Sequence, residues 1–334
     1  MPTYRSRTTL KDIALSVGVS VNAVSIVLNN TGSAGQVSQE TRRKIVDVAK
    51  ELGYQPNTAA RSLVTRRSNT IGFYFNYELN IVEPFTSAMI YGASRACRER
   101  RQALILYGRR SADQTSDEIS AELLSGIADG VVLASWTAPA ILERLQTSYL
   151  PIVHYPSAHP IFPSVCVDSY TGPRLALQYL KDAGHRHMMY RTRLHMDAVG
   201  RGVAFERAAK ELHVKLTTVE AADPQGNVAD EERRLLSLKS SGRPTAVVCW
   251  NDEFAYRMLD YCDEAGLRVP VDVAVVGYDG AHTFPELKRR LTTVYVPWDE
   301  MAHKAVSLLV DIRDGVSVPQ ESAVHVHLRL GDTA

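Results

Sequence analysis

Apolar residues in the N-terminal part of the chain recur every three to four positions, which is the period of an amphipathic helix. Three such stripes occur, at Leu10, Ile13, Ala14 and Val17, at Val24, Val27 and Leu28, and at Ile45, Val48, Ala49 and Leu52. Each follows a hydroxyl side chain able to cap a helix, namely Thr9, Ser20 or Ser38. Gly18 ends the first stripe and Gly53 the third. The short Gly-Val-Ser turn between the first two stripes is typical of a helix-turn-helix.

From Thr70 onward, short apolar runs alternate with helical patterns. We predict strands at residues 71–75, 103–107, 130–134, 151–155, 164–167, 188–191, 246–250, 273–278, 292–296 and 324–330. Helices are predicted at residues 84–101, 119–125, 138–146, 173–183, 202–211, 231–239, 253–265 and 299–313. Strands that alternate with helices in this way form parallel sheets covered on both faces. So many strands favour two doubly wound lobes over one, and ligands of such sheets bind at the carboxyl ends of the strands.

Composition narrows the class of protein. The 334 residues are 45% hydrophobic and 22% charged, as in an ordinary globular protein, and no apolar run reaches the length of a membrane span. The N-terminus lacks the apolar segment of a signal peptide, and the four scattered cysteines form no CxxC pair. These features favour a cytoplasmic protein with buried, reduced thiols and no membrane partner.

The net charge of +1 conceals a division along the chain. Residues 1–70 contain ten Lys or Arg against four Asp or Glu, so the remaining residues carry a net charge of −5. A basic head on a mildly acidic body indicates that the head binds a polyanion.

The second predicted helix has the side chains of a DNA-reading helix. Val21, Asn22 and Ser25 lie opposite its apolar stripe. Asn22 can bond adenine through both amide atoms, Ser25 can bond a base or a phosphate, and Val21 can contact a thymine methyl group. Thr9 and Ser20 stand at helix N-termini, which favour phosphate. The alternative is a three-helix packing module whose polar face is only solvated.

The segment that follows carries a resemblance. The stretches TLKDIALSVGVSVNAVSIVLNN, VSQETRRKIVDVAKELGYQPNTAARSL and the IGF of the first core strand are similar to the lactose-repressor (LacI/GalR) family of transcriptional regulators. The resemblance implies that residues 57–64 form a hinge helix that enters the minor groove in a dimer, with Ala60 and Leu63 at the DNA and Leu63 wedged between base steps. Ile26 departs from the family pattern, because many members carry a polar residue there.

The resemblance continues to about residue 330, through VCVDSYTGPRLALQYLKDAGHRH, GRGVAF, VVCWNDEFA and VPVDVAVVGYDG. It implies a helix-turn-helix domain at residues 8–56, a hinge helix and linker at 57–69, and a periplasmic-binding-protein-like core at 70–334. Within this core the first lobe is expected at 70–163 plus 297–318, and the second at 164–291 plus 319–334. Three crossovers join the lobes, so closure about a ligand is the expected motion.

Six residues are the candidates for binding a small-molecule effector. The resemblance implies Arg201, Asn251 and Asp279 as polar contacts and Phe85 as a first-lobe contact, and the positions of Trp136 and Trp250 near strand ends suit stacking on a sugar ring. Four of the six have a structural alternative: core packing for either tryptophan, a turn before Gly280 for Asp279, and an ion pair within its own lobe for Arg201.

The class of effector is left open by two observations. Pro156 replaces an aspartate of many sugar-binding members, and the loop at residues 221–224 lacks their stacking aromatic. Arg191, Arg193, His195 and Arg201 cluster in one stretch, which suits an anionic effector or a solvated loop equally well.

We therefore predict a homodimeric DNA-binding regulator that binds a pseudo-palindromic operator and a sugar or sugar derivative. Of the regulator types, a repressor is favoured. The alternatives are a corepressor-dependent repressor or an activator that responds to an anionic or purine-like metabolite, and, less favoured, a solute-binding protein or an enzyme on the same scaffold. No catalytic set, cofactor motif or metal-ligand spacing occurs in the sequence.

Overall fold

The chain forms two compact units, Met1–Ser68 and Asn69–Ala334. A computed structural model describes residues 8–29, 37–56, 62, 65, 67–76, 84–108, 113–134, 137–193, 200–223, 225–238, 242–280 and 289–334. Within these ranges no single helix is long and apolar enough to cross a membrane. The first two helices pass that test only as a pair, bent by 112°, and only by length and composition.

The N-terminal unit is built from three helices, α1 (Leu10–Val17), α2 (Val21–Asn29) and α3 (Gln39–Glu51). Their apolar stripes meet in a small core around Ile13, Val24 and Ile45, all fully buried. Thr9 and Asp12 form a capping box at the start of α1, and Gly18 ends that helix with a φ of 72°, which a glycine adopts without steric cost. The helical periodicity of the sequence is therefore realised in all three segments.

The first lobe of the second unit is a six-stranded parallel sheet in the order β11-β5-β4-β3-β1-β2. Its strands are β1 (Thr70–Phe75), β2 (Ala103–Gly108), β3 (Val131–Ala134), β4 (Ile152–Tyr155), β5 (Ser164–Val167) and β11 (Glu321–Val324). Its helices are α4 (Pro84–Glu99), α5 (Ser116–Leu123), α6 (Pro139–Gln146) and α11 (Trp298–Arg313). Alternate residues of β1 enter different cores, Phe73 and Phe75 on one face and Tyr74 on the other, so both faces of the sheet are covered.

The second lobe is a six-stranded sheet in the order β12-β10-β9-β8-β6-β7, in which only the β10–β12 pair is antiparallel. Its strands are β6 (His187–Thr192), β7 (Lys215–Glu220), β8 (Ala246–Cys249), β9 (Ala274–Asp279), β10 (Thr292–Tyr295) and β12 (His327–Arg329). The helices are α7 (Thr171–Asp182), α8 (Arg201–Leu212), α9 (Asp230–Leu236) and α10 (Asp252–Glu264). Four buried free cysteines lie in the two lobes, as the scattered spacing predicts.

The expected lobe boundaries are wrong at two strands. Strand β5 pairs with β4, and β11 pairs with β5, so residues 164–167 and 321–324 belong to the first lobe rather than the second. The chain thus crosses between lobes after β5, at residues 168–170, and after β11, at residues 325–326, and not before these strands. The third crossover, at residues 296–297 after β10, lies where the sequence placed it.

Two other sequence expectations need correction. The predicted strand at residues 324–330 is two strands, because β11 ends at Val324 and β12 begins at His327 in the other sheet. Strand β7 was not predicted, since it is an edge strand in which only Val219 is buried and its sequence lacks a continuous apolar run. Both failures concern strands at the edges of the two sheets, where little apolar surface is buried to mark the strand in the sequence.

Candidate functional site

The helix proposed to read DNA presents two of its candidate residues to solvent. Ser20 caps α2, since its Oγ accepts a hydrogen bond from the Ala23 N–H at 3.2 Å. Val24 and Val27 are buried against α1 and α3, which leaves Asn22 exposed and Val21 44% exposed on the opposite face. The start of α2 is therefore free to meet a surface, as a recognition helix must be.

The remaining candidates for DNA contact differ in their surroundings. Ser25 is half-buried, and its Oγ accepts a bond from the Asn29 amide at 3.1 Å, so its hydroxyl hydrogen can still be donated. Thr9 is exposed, but its hydroxyl donates to Asp12 Oδ2 at 2.8 Å within the capping box. Ala60 and Leu63, the candidates in the hinge, lie outside the described residues.

On the second lobe, Arg201 is held at the carboxyl ends of β8 and β9. It is the first residue of α8, after Gly200 with a φ of 65°. Its Nη1 donates to the Trp250 carbonyl, and its Nη2 lies 3.6 Å from Asp279 Oδ1. The guanidinium carbon lies 4.5 Å from the ring centre of Trp250 and 3.9 Å from that of Tyr278. Cation–π contacts with two aromatic rings thus help to fix the position of the guanidinium group.

Asp279, the ion-pair partner of Arg201, is the last residue of β9 and has a strained backbone conformation. Its φ of 97° is unusual for a residue other than glycine, and Gly280 continues the turn with a φ of 64°. A Cβ at Gly280 would lie 2.6 Å from the Tyr295 ring, so this turn also needs a glycine. Strain of this kind is common where a side chain must be aimed at a ligand. Both structural alternatives are therefore present: Asp279 lies in the turn before Gly280, and Arg201 forms an ion pair within its own lobe.

The Asp279 carboxyl is incompletely satisfied. Its Oδ1 is buried and has no hydrogen-bond partner in the part of the chain that the structure describes, because Arg201 stands beyond hydrogen-bond distance. Burial raises the pKa of Asp279 above its ordinary value of 3.8, and the Arg201 charge offsets part of that rise. A buried acceptor in this state favours a ligand that donates a hydrogen bond.

Asn251 and Trp250 complete the second-lobe side. The Asn251 Oδ1 accepts from the Phe254 N–H at 2.9 Å and caps α10, so its amide nitrogen remains as the group to offer a ligand. Trp250 is buried in the main core, as the packing alternative expects, while its ring face covers Arg201.

The first-lobe side contains an aromatic cluster of Phe85, Tyr155 and Trp298. The ring of Trp298 lies 6.3 Å from Phe85 and 6.2 Å from Tyr155, and the Tyr155 hydroxyl donates to the Trp298 carbonyl at 3.3 Å. The Trp298 indole N–H is buried, with no partner among the described residues. Trp136, the other first-lobe candidate, falls outside those residues.

Backbone bonds bring Trp298 close to Asp279. The Val296 N–H donates to the Asp279 carbonyl at 3.0 Å, and the Trp298 N–H donates to the Val296 carbonyl at 2.8 Å. The sequence reasoning missed Trp298 as a site residue. Its signal was an aromatic residue directly after the crossover that follows β10.

The arginine-rich stretch does not form one anion site. Arg191 is fully buried inside the lobe. Its guanidinium donates hydrogen bonds to Glu232 Oε1 at 2.6 Å and to the carbonyls of Phe254 at 2.7 Å and Gly226 at 2.5 Å. Arg193 is half-buried, and His195 lies outside the described residues. Arg201 contacts the candidate residues Trp250 and Asp279, whereas the hydrogen bonds of Arg191 go elsewhere. Within the described ranges, no three His, Cys, Asp or Glu side chains are arranged to hold a metal ion.

Comparison with known families gives two matches. Residues 9–57 match the model of the bacterial regulatory proteins of the lacI family, and residues 177–333 match that of a periplasmic binding protein-like domain. The ribose operon repressor of Escherichia coli (strain K12) is 30% identical over 322 residues, which cover 90% of this chain and 92% of that repressor. The HTH-type transcriptional repressor PurR of Proteus mirabilis (strain HI4320) is 29% identical over 313 residues, covering 91% and 89%.

Solved structures agree with the fold. The lac repressor dimer bound to operator and the anti-inducer ONPF matches with a TM-score of 0.82 at 20% identity, covering 98% of this chain and 99% of that one. The complex of the transcriptional regulator CelR with cellobiose matches with a TM-score of 0.69 at 26% identity, covering 98% and 100%. An N-terminal helix-turn-helix followed by a two-lobed α/β core is the architecture these chains have in common.

Proposed function

The chain belongs to the LacI family of bacterial regulatory proteins, and we propose that it is a repressor whose operator affinity is controlled by a neutral, hydroxyl-rich metabolite. It is a DNA-binding transcriptional regulator, and its named relatives are repressors rather than enzymes. The proposed class of effector rests on one observation: Arg201 forms an ion pair with Asp279 and also contacts the rings of Trp250 and Tyr278.

The pairing favours a neutral ligand because the site already holds its own counter-charge. Asp279 balances the Arg201 guanidinium, and both side chains are only 13% exposed. A phosphate or carboxylate placed there would face the buried Asp279 carboxylate, and like charges repel strongly where water is scarce. A sugar hydroxyl can instead donate to Asp279 Oδ1, which accepts no hydrogen bond from the described residues, and accept from Arg201.

A purine-like effector is the second candidate. Phe85 and Trp298 are partly exposed and pack on the buried Tyr155, so they offer aromatic surface to a planar ring, and a ring N–H would also satisfy Asp279 Oδ1. This candidate requires a neutral base for the same electrostatic reason.

The DNA-binding half of the proposal rests on α2. Exposed Asn22 at the start of a capped helix can read a base in the major groove, and a pseudo-palindromic operator requires two copies related by a two-fold axis. We therefore propose a homodimer acting on chromosomal DNA in the cytoplasm.

A thermal-unfolding screen of the full chain tests the effector class. The panel comprises D-ribose, cellobiose, D-ribose 5-phosphate, adenine and guanine, since a ligand that binds only the folded chain raises its unfolding temperature. We expect a neutral sugar to give the largest rise. Stabilisation by ribose 5-phosphate alone would contradict the proposal, and stabilisation by a purine base alone would establish the second candidate.

A binding titration tests the DNA-reading residue. A duplex is first selected from a randomised pool with the full chain, and the affinity of Asn22→Ala is then compared with that of the wild type. We expect a loss of about 1–3 kcal/mol on the selected duplex and relaxed preference at one base pair of each half-site. The matched control is Gln39→Ala, an exposed amide on α3. An equal loss on selected and random duplexes would show that Asn22 contacts only the backbone of the DNA.

A further inference from the structure

Three backbone groups of the first two core residues, Asn69 and Thr70, accept or donate hydrogen bonds to other segments. Asn69 adopts a φ of 52°, in the left-handed region, and its N–H donates to Asp129 Oδ2 at 2.7 Å. The Asn69 carbonyl accepts from the Ala103 N–H at 2.7 Å, and the Thr70 carbonyl accepts from the Asp129 N–H at 2.8 Å. Three bonds from two separate segments therefore hold the chain where it enters β1.

Arg313, the last residue of α11, supports the carboxylate in this arrangement. Its Nη1 lies 3.7 Å from Asp129 Oδ2, the same oxygen that accepts from Asn69, and donates to Gln102 Oε1 at 2.6 Å. Its Nε and Nη2 donate to the Asp314 carboxylate at 3.1 and 3.2 Å. The side chains of Arg313 and Asp129 are each 10% exposed, so solvent and salt screen their attraction little.

The position of this network suggests its role. Asn69 is the first residue of the core unit, next to the Ser68 boundary with the DNA-binding unit. Strand β1 is already paired on both edges, with β2 and β3, so the sheet does not require Asp129 for its register. The carboxylate and Arg313 instead act on the residue from which the linker leaves.

We propose that Asp129 and Arg313 are positioning residues for operator binding, which fix Asn69 so that the linker leaves the core in a single direction. The inference rests on the proposed DNA-binding function. Two operator half-sites at a set spacing require two DNA-binding units at a matching separation. A linker free to leave in many directions lowers the population of chains that present that separation, and specific affinity falls in proportion.

Three variants of the full chain separate charge from hydrogen bonding. Asp129→Asn keeps an oxygen acceptor for the Asn69 N–H but removes the charge, Asp129→Ala removes both, and Arg313→Gln removes the supporting charge. The matched control is Arg100→Gln, because Arg100 also pairs with α11, through Asp311 at 2.8 Å, but has no bond to Asn69.

The measurements are affinity for the selected duplex, affinity for a random duplex, and amide hydrogen exchange at Asn69 and Thr70. We expect Asp129→Ala and Arg313→Gln to lose about fivefold or more on the selected duplex, with unchanged random-duplex affinity. Exchange should accelerate at Asn69 while the strands of both sheets keep their rates. Asp129→Asn should show a smaller effect, and Arg100→Gln should behave as wild type.

Several results would overturn the positioning role. If Arg100→Gln lost as much affinity for the selected duplex, the effect would come from the change in net charge. If hydrogen exchange accelerated throughout the core, the effect would come from a loss of stability. Unchanged selected-duplex affinity in all variants would refute the positioning role alone. A wild-type chain that selects no duplex from the pool would instead refute the proposed function.

Discussion

Arg191 and Arg201 lie on the same lobe and each pairs with an acidic side chain, yet their sites differ in burial and in completeness of bonding. The pair of Arg191 with Glu232 has both side chains 0% exposed and at 2.6 Å. Arg201 lies 3.6 Å from Asp279, and both side chains are 13% exposed. Glu232 also accepts from the Ala229 N–H at 2.7 Å, whereas Asp279 Oδ1 has no hydrogen-bond partner within the described residues.

The difference separates a structural ion pair from one that we propose binds the effector. Arg191 joins β6 to the Gly226 loop and to α10 through carbonyl groups that have no access to water, so its bonds are complete without any ligand. Arg201 and Asp279 are held by aromatic rings and backbone strain in a geometry that does not satisfy the pair. A hydroxyl-bearing ligand would complete the second site and cannot reach the first.

The largest effect is expected from breaking the buried pair. Arg191→Met should destabilise the core by about 3–5 kcal/mol, because it leaves Glu232 as an unpaired buried charge and removes the donor to two carbonyls. Chemical denaturation of the full chain measures this loss. The double variant Arg191→Met/Glu232→Leu should recover part of the stability, since the stranded charge is gone. A loss below about 1 kcal/mol in the single variant would show that water reaches the site.

An intermediate effect is expected at the incomplete pair. Arg201→Met should weaken binding of the stabilising panel sugar by about 1.5–3 kcal/mol, because a charged donor to the ligand is lost. Operator affinity without sugar should be unchanged, and the operator response to sugar should disappear at wild-type sugar concentrations. Calorimetric titration measures the first effect and DNA titration the others. Arg207→Met is the control, because Arg207 is an exposed arginine on the same helix. If Arg201→Met still responds fully, the site assignment is wrong.

The smallest effect is a dependence on pH. Because burial raises the pKa of Asp279, its contribution to the stability of the ligand-free chain is complete below the ordinary value of 3.8 and is lost as pH rises through the raised value. A hydroxyl donor prefers the ionised carboxylate, so sugar affinity should rise over that same window, by about two- to fivefold. Calorimetric titration of wild type and Asp279→Asn across the window measures it. An equal pH dependence in Asp279→Asn would assign the titration to another group.

The local parts of the fold could be predicted from the sequence with little error. The stripes of α1, α2 and α3 and the caps at Thr9, Ser20 and Ser38 depend on contacts within a few residues, and all are present in the structure. The buried strands β1, β8 and β9 are near-continuous apolar runs, which only the interior of a covered sheet produces. Strand β7 was missed because only Val219 is buried in it, and the lobe boundaries failed because β11 pairs with β5, which lies far along the chain.

The candidate site, like the fold, has features that could be predicted from the sequence and features that could not. The sequence by itself determined the helix-turn-helix and the α/β alternation of the core, because these follow from periodicity and spacing, and its family resemblance made Arg201 a candidate ligand residue. Only the tertiary structure decided that Arg191 forms a buried ion pair with Glu232 while Arg201 contacts Asp279 in the candidate site. It also decided that backbone hydrogen bonds through Val296 bring Trp298 close to Asp279. The physical reason is that burial and hydrogen-bond satisfaction are properties of a three-dimensional neighbourhood. Two arginines ten residues apart in the sequence acquire different surroundings only when β6, α8 and β9 are packed together.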